Sequence, residues 1–155
     1  MTARSDHPGV WFPPPLLYVL AVFIGVLLDR RWPLRIAEGL VTTIAGALFV
    51  LGGVVLSYES IGRFRRSKTS FIPVRPATTL VLSGPYRYTR NPMYVSLALL
   101  TIGCGWLLAT WWPIVLLIPT LALVQQFVIL PEERYLQHRF GTEYDAYTRR
   151  VRRWL

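Results

Sequence analysis

The chain has 155 residues, of which 53% are apolar and only 16% are charged, yet 17 Lys and Arg face 8 Asp and Glu, a formal charge of +9. The stretches 10–28, 39–58 and 91–131 contain no charged residue, and their 80 residues make up more than half of the chain. This apolar content excludes a disordered chain, and one cysteine excludes a secreted disulfide scaffold. A nucleic-acid-binding domain is also disfavoured, because its basic residues would lie on the surface of a soluble fold, and long uncharged stretches do not fit such a fold. The sequence therefore predicts an integral membrane protein.

The uncharged stretches predict four membrane-spanning helices within one domain. About 20 helical residues cross a hydrocarbon layer of about 30 Å, so spans 10–28 and 39–58 each account for one crossing. The third stretch is twice as long and contains two tryptophans followed by a proline, which is typical of a membrane interface and of the first turn of a new helix. We therefore divide it into spans 92–109 and 113–130, joined by a tight hairpin. The predicted fold is an all-α, polytopic membrane protein over residues 1–155.

Positive charge indicates the orientation of the spans. With four spans, the N-terminus, the middle loop and the C-terminal tail share one side, which holds 14 of the 17 Lys and Arg residues. Cytoplasmic loops are enriched in these residues, so both termini are predicted to be cytoplasmic. A cleavable signal peptide is the alternative for the first span. The mixed charges before it, and the absence of a small-residue cleavage pattern after it, favour a span.

The predicted hairpin brings polar residues together at the cytoplasmic interface. Spans three and four are antiparallel neighbours, so the start of one lies beside the end of the other. Tyr86, Arg90 and Tyr94 are therefore expected near Glu132 and Glu133. Adjacent carboxylates at a membrane boundary are costly unless a cation or a hydrogen-bond donor engages them. Two interpretations stay open here: an ion pair that fastens the hairpin, or a ligand-binding pocket.

The residue types in this pocket favour a zwitterionic ligand with an aromatic base. Asn91 and Pro92 form a helix-start signature, where free backbone N–H groups bind anions. The end of span four has the opposite polarity and favours a cation. Tyr86, Tyr88 and Tyr94 can stack on a ring or face a positive charge.

Two further segments are predicted to border the pocket. Residues 76–83 are expected to be extended rather than helical, and to lie across its mouth. The tail carries an apolar stripe at helical spacing, interrupted by Gly141 where a bend is expected: Leu136, Phe140, Tyr144, Tyr147, Val151 and Trp154. This amphipathic helix is either a peripheral anchor on the membrane or a lid over the pocket.

Three motifs, in this order and around this hairpin, resemble the isoprenylcysteine carboxyl methyltransferase family, whose wider relatives are phospholipid N-methyltransferases. The motifs are Thr79-Leu80-Val81-x-Ser83-Gly84-x-Tyr86, Arg90-Asn91-Pro92-x-Tyr94, and Glu132-Glu133-x-x-Leu136-x-x-x-Phe140-Gly141 with Tyr144, Tyr147 and Val151. The resemblance covers residues 78–151, about half of the chain, and leaves the first two spans without a motif.

The resemblance implies an S-adenosylmethionine-dependent methyltransferase that acts on a lipophilic, membrane-dissolved acceptor. By this resemblance the cofactor-binding residues are Thr78, Thr79, Leu80, Val81, Tyr86, Asn91, Pro92, Met93, Tyr94 and Glu132. Met93 is expected to make contact mostly through its backbone, and Glu132 to engage the cationic or hydroxyl groups of the cofactor. No metal site and no nucleic-acid partner are expected.

The chain departs from the family pattern at two positions. The usual Arg-His-Pro is Arg90-Asn91-Pro92 here, and the position of a substrate-binding Arg is Val128, so a prenylcysteine carboxylate is not supported as the acceptor. Arg90, Arg134 or Arg139 could supply a substitute charge. We predict catalytic roles for Arg90 and for Glu133, which would take the proton from an amine acceptor. Carboxylate, amine and thiol acceptors all stay open.

Other functional classes agree less well with the sequence than a membrane methyltransferase does. A non-enzymatic four-span protein that binds lipid or assists assembly needs no ordered polar pocket, so the motif order argues against it. A nicotinamide-dependent reductase of the sterol-reductase type is expected to have a longer chain. Among methyltransferases, a phospholipid N-methyltransferase is the alternative to an enzyme of the isoprenylcysteine type. Methyl transfer itself depends mainly on alignment of the reactants, which agrees with a sequence without a Ser–His pair or a metal-ligand cluster.

Overall fold

The computed structural model describes residues 13–66 and 79–155, and within these ranges the chain is helical without any β-strand. The described ranges contain six α-helices: α1 (Pro15–Arg31), α2 (Leu40–Arg66), α3 (Pro92–Leu107), α4 (Trp112–Val124), α5 (Leu130–Phe140) and α6 (Thr142–Thr148). A 3-10 turn, Gly84–Arg87, precedes α3. The all-α prediction is confirmed for these residues. Residues 10–12 of the first predicted span and Thr78 lie outside the described residues.

Two helical segments in the described ranges are long and apolar enough to cross a membrane, Leu40–Arg66 and the uninterrupted Trp112–Phe140. Only 11% of the most apolar stretch of the first is buried inside the protein, so this helix is unlike the core helix of a soluble domain. Helix α3 is also apolar but has 16 residues. These helices indicate a membrane protein, while the crossings of α1 and α3 stay predictions.

Small residues allow α2 and α3 to pack closely. A Cβ atom on Gly46 would lie 2.9 Å from Leu107 Cγ, and one on Gly103 would lie 2.9 Å from the carbonyl oxygen of Gly46. Such close approach of backbones is how apolar helices associate in membranes. The hydroxyls of Ser57 and Ser96 add a hydrogen bond of 2.8 Å between the same helices. Gly103, within the sequence Gly103-Cys104-Gly105, therefore serves helix packing.

A buried carboxylate joins the two short connections at the end of the bundle opposite the motifs. Asp29, which is 7% exposed, accepts hydrogen bonds from the backbone N–H of Leu34 at 3.0 Å and from the hydroxyl of Thr110 at 2.8 Å. Arg35 forms an ion pair with it at 3.2 Å. This contact holds the α1–α2 connection against the α3–α4 connection, and it places the starts of α1 and α3 at the other end of the bundle.

The last long helix differs from the prediction of a span that ends near residue 130 and is followed by a separate tail helix. Helices α4 and α5 are continuous through a π-helical turn, Gln125–Ile129, in which the N–H of Leu130 donates to the carbonyl of Gln125. Pro131 has no N–H to continue the normal pattern, and a wider turn relieves the clash of its ring with the preceding turn. Charged residues after Pro131 end the apolar run but not the helix, which continues to Phe140.

Candidate functional site

The start of α3 and the end of the last long helix meet through Tyr94 and Glu132. The Tyr94 hydroxyl donates a hydrogen bond of 3.0 Å to Glu132 Oε2, across 38 positions of sequence. Tyr94 is 9% exposed and Glu132 is partly exposed, so this bond lies at the margin of the bundle. The prediction that residues of the second and third motifs lie close together is therefore confirmed.

The neighbouring carboxylate, Glu133, is held by two arginines. Arg90 Nη1 lies 3.0 Å from Glu133 Oε1, and Arg153 donates from Nη2 to Glu133 Oε2 at 2.7 Å and from Nε to Oε1 at 3.0 Å. The ion pair between Arg90 and a hairpin glutamate is thus present, and a residue from the tail shares it. Forked Arg–carboxylate contacts of this kind fix geometry as well as charge. Catalytic roles for Arg90 and Glu133 stay predictions.

Asn91 occupies the cap position of α3, but its side chain does not cap the helix, contrary to the prediction. Its amide nitrogen donates to the backbone carbonyl of Arg153 at 2.9 Å, and Thr89 Oγ1 donates to the same carbonyl at 3.1 Å. The tail backbone therefore competes for the amide that would otherwise cap the helix. The N–H of Arg90 also donates to the carbonyl of Arg152 at 2.9 Å, so the end of the chain lies along the segment that enters α3.

The predicted anion site at the start of α3 is reduced by these contacts. The N–H of Asn91 donates to Thr89 Oγ1, and those of Tyr94 and Val95 donate to the carbonyl of Asn91. Proline at position 92 has no N–H. Among the described residues this leaves the N–H of Met93 available to a ligand, and a backbone contact between Met93 and a cofactor stays a prediction.

Tyr86 is buried in the 3-10 turn beside the second helix. Its ring makes an edge-on contact with Phe64 at 5.5 Å, and its backbone carbonyl accepts a 2.8 Å hydrogen bond from the hydroxyl of Tyr147. Gly84, at φ +63°, starts the turn, and a Cβ there would lie 2.5 Å from Arg63 Nε. Tyr88, in contrast, is 78% exposed and does not join this buried group.

The tail stripe packs against the protein. Tyr144, Tyr147 and Val151 form a buried cluster with four partly buried side chains around it: Leu80, Leu82, Leu136 and Phe140. Gly141, at φ +51°, makes the predicted bend between α5 and α6. Trp154 then donates from Nε1 to Gln125 Oε1 at 2.9 Å. The tail is therefore a fixed wall of the site in this structure, since it is anchored to three separate parts of the chain.

The remaining predicted cofactor residues line the approach to this wall. The described part of the 76–83 segment, from Thr79 on, is non-helical as expected; Thr79 is exposed, Leu80 is partly buried and Val81 is 7% exposed. Pro92 is fully buried, and Met93 is partly buried. The structure thus brings the three motifs to one end of the bundle.

Burial and hydrogen bonding shift the pKa values of Glu132, Tyr144 and Arg153 at this end. Glu132 follows the apolar run and lies beyond the predicted span. Burial raises the pKa of Glu132 to about 7, with a further upward contribution from the charge of Glu133 and an opposing one from the Tyr94 hydrogen bond. Burial also raises the pKa of Tyr144 to about 12. Hydrogen bonding to Glu133 raises the pKa of the Arg153 guanidinium.

Two residues of this region were missed by sequence reasoning. Arg153 entered the sequence analysis only as one of the 14 basic residues that indicate orientation. Tyr18 lies on α1, which carries no motif. Tyr18 is 3% exposed and belongs to the same buried cluster as Tyr94, Val124 and Val128. No local pattern distinguishes either residue, because their partners are more than 15 positions away in sequence.

Comparison with known proteins gives a family match. The sequence profile described as phospholipid methyltransferase matches residues 41–143, which include the second and third helices and the motif residues from Thr78 to Phe140. No solved structure matches the chain at a significant level.

Three curated proteins are similar to the chain. A cobalt-zinc-cadmium resistance protein, CzcN, of Cupriavidus metallidurans is 33% identical over 92% of this chain and 60% of its own length. A nickel-cobalt-cadmium resistance protein, NccN, of Alcaligenes xylosoxydans xylosoxydans is 31% identical over 71% of this chain and 50% of its own length. An uncharacterized protein of Haemophilus influenzae is 42% identical over 41% of this chain and its own full length. The chain thus spans half to three-fifths of the length of the two resistance proteins.

Proposed function

The chain belongs to the phospholipid methyltransferase family of membrane methyltransferases, and we propose that it transfers a methyl group from S-adenosylmethionine to a lipophilic acceptor in the membrane. The observation that carries this proposal is the hydrogen bond between Tyr94 and Glu132. It joins the second and third motifs of the resemblance within the matched region, at the end of the bundle where the first motif also packs.

The residues at this end fit S-adenosylmethionine in three respects. Glu132 offers a carboxylate whose Oε2 is engaged by Tyr94, and its other oxygen can accept from hydroxyl or ammonium groups. The N–H of Met93 at the positive end of α3 can donate to a carboxylate. Tyr86 and Tyr94 supply aromatic surface beside these groups. We propose that these residues, with Asn91, Pro92 and the 78–81 segment, hold the cofactor.

The chain's own contribution to the reaction is alignment and exclusion of water. S-adenosylmethionine supplies an electrophilic methyl group on a sulfonium sulfur. The direction from which a nucleophile can approach is limited by the surrounding walls, which are α1, α3, the last long helix and the anchored tail. Proximity and orientation supply most of the rate enhancement in such transfers. Arg90 and Glu133, already paired with each other, keep the tail in place through Arg153. Their contact with the acceptor is part of the proposal.

We propose that the four long helical segments cross the membrane and that the motif end faces the cytoplasm. The alternating directions of the helices and the 14 Lys and Arg residues on the motif side support this orientation. The test replaces Cys104 with Ser and introduces one cysteine at Arg87 or at Leu34. Labelling of whole cells with a membrane-impermeant maleimide should modify Leu34→Cys and leave Arg87→Cys unmodified; the reverse pattern contradicts the orientation.

Our proposal for the acceptor class is supported by the position that corresponds to the family's substrate-binding Arg. Val128 is apolar and 0% exposed, so no ionic anchor for a carboxylate stands there. A phospholipid amine, in keeping with the description of the family, or a lipophilic thiol agrees better with this environment than a prenylcysteine carboxylate does. One relative is named for resistance to cobalt, zinc and cadmium and another for resistance to nickel, cobalt and cadmium. We propose that a methylated membrane component connects this chain to such resistance.

The experiment that tests the proposal uses membranes that contain the protein and S-adenosylmethionine labelled in the methyl group. Lipids are extracted, and the labelled product is separated and treated with base. A labelled lipid that depends on the wild-type chain and is lost in Glu132→Ala supports the proposal, and base-stable label indicates N- or S-methylation. Equal labelling with and without the chain contradicts it.

A further inference from the structure

Helix α1 carries a buried tyrosine hydroxyl, that of Tyr18. Tyr18 is 3% exposed, and no hydrogen-bond partner for its Oη exists in the part of the chain that the structure describes. Most buried side-chain polar atoms in proteins are paired, because an unpaired one has lost its water without gaining a new bond. A phenylalanine would fill the same space without this cost. The presence of tyrosine rather than phenylalanine at this position therefore indicates a role for the hydroxyl.

Tyr18 lies beside the proposed cofactor residues, and this position indicates what its role is. Its ring belongs to a single buried cluster with Tyr94, Val124 and Val128. Tyr94 is the residue whose hydroxyl donates to Glu132, and Val128 stands where the resemblance places a substrate-binding charge. The first helix, which has no motif, thus reaches the wall between the proposed cofactor residues and the apolar core.

Tyr18 packs into a mostly aliphatic cluster, whose member Tyr94 contacts the carboxylate of Glu132. Leu117, Val124, Val128 and Ile129 are all 5% exposed or less, and Leu17 and Leu121 pack at its margin. A charged group in direct contact with these side chains would be costly, whereas the neutral form of an amine or a thiol, which is the form that accepts a methyl group, would pair with one hydroxyl and leave the hydrocarbon in apolar contact.

We propose that Tyr18 Oη hydrogen-bonds the polar head of the methyl acceptor, and that the acceptor is held there by a neutral hydrogen bond rather than by an ion pair. This inference rests on the proposed methyltransferase function and assigns its acceptor-binding residue to the first helix. Tyr18 then contributes to acceptor affinity and not to cofactor affinity, because Tyr94 and Glu132 stand on the cofactor side of the cluster.

The test compares Tyr18→Phe with Tyr58→Phe, a matched change on α2 where the side chain is 77% exposed. Purified proteins are given methyl-labelled S-adenosylmethionine and increasing amounts of the native membrane lipid extract, and labelled product is measured. Tyr18→Phe is expected to raise the half-saturating amount of extract about tenfold, which corresponds to about 1.4 kcal/mol. The Kd for S-adenosylmethionine should stay within twofold of wild type, and Tm should be unchanged or higher. Tyr58→Phe should match wild type throughout.

The outcomes separate this inference from the function on which it rests. If Tyr18→Phe has a higher Tm and an unchanged half-saturating amount of extract, the hydroxyl is simply unpaired and the inference is wrong. It is also wrong if the Kd for S-adenosylmethionine rises while acceptor dependence stays the same, or if Tm falls. A wild-type protein that binds no S-adenosylmethionine and labels no lipid contradicts the proposed function itself.

Discussion

The hydroxyl of Tyr94 donates a 3.0 Å hydrogen bond to Oε2 of Glu132, and thereby joins the first turn of α3 to the end of the last long helix. One step along the chain, Glu133 is bound by Arg90 and Arg153. Adjacent carboxylates at one end of the bundle therefore have different environments. Glu132 keeps an oxygen for a ligand, while Glu133 is engaged in ion pairs that hold the tail.

Tyr94→Phe is expected to weaken S-adenosylmethionine binding about fivefold to tenfold while the protein stays folded. The ring and its packing are kept, but Glu132 loses the donor that orients its carboxylate, and a hydrogen bond to a charged group contributes about 1.5–3 kcal/mol. Isothermal titration calorimetry of the purified variant measures the change, with Tyr58→Phe as the control. An affinity equal to that of wild type would mean that the bond does not position a cofactor ligand.

Arg153→Ala is expected to lower both thermal stability and cofactor affinity. The change removes the forked contact to Glu133, a carboxylate whose side chain is 15% exposed, and a partly buried charge that loses one partner is destabilising, here by about 1–2 kcal/mol. The tail is then held by fewer contacts at the entrance to α3. Arg149→Ala, an exposed tail residue, is the matched control and should behave as wild type in thermal-shift and binding measurements. Identical Tm values for the two variants would contradict a structural role for Arg153.

Gly84→Ala is expected to lower Tm by a few degrees and to weaken cofactor binding. The left-handed backbone at φ +63° costs about 1–2 kcal/mol for any residue with a Cβ, and the added atom would also displace Arg63. Because Gly84 starts the turn that buries Tyr86, the strain acts on a proposed cofactor residue. Gly52→Ala is the control, since no atom lies within 4 Å of its added Cβ and alanine favours helix. A Gly84→Ala protein as stable as Gly52→Ala would contradict this reading of the turn.

The sequence predicted the helical class and the meeting of Tyr94 with Glu132, because uncharged runs have lengths set by the membrane and a tight hairpin makes its two helices neighbours. The bend at Gly141 also followed from its position in the tail stripe. These features depend on periodicity and on contacts between adjacent elements.

Other features depend on contacts that no local pattern reports. The side chain of Asn91 binds the tail carbonyl of Arg153 instead of capping α3, and this choice exists only once the chain end lies beside it. The π-helical turn before Glu132 arises from Pro131 in the context of a continuing helix. Tyr18 lies 76 positions before Tyr94, so only the packed bundle brings the two into one cluster.

The affinity for S-adenosylmethionine between pH 6 and pH 8, measured by calorimetry for wild type and Glu132→Gln, tests the central claim most directly. Burial raises the pKa of Glu132 to about 7, so its carboxylate is ionised at pH 8 and largely protonated at pH 6. If the carboxylate binds cationic or hydroxyl groups of the cofactor, wild-type affinity should fall by up to tenfold per unit as the pH drops below about 7. Glu132→Gln should bind at least tenfold more weakly at pH 8 and lose that pH dependence, while Glu143→Gln, an exposed change on α6, should follow wild type. No binding to the wild-type protein at pH 8, or a Glu132→Gln profile that coincides with wild type, would contradict the account.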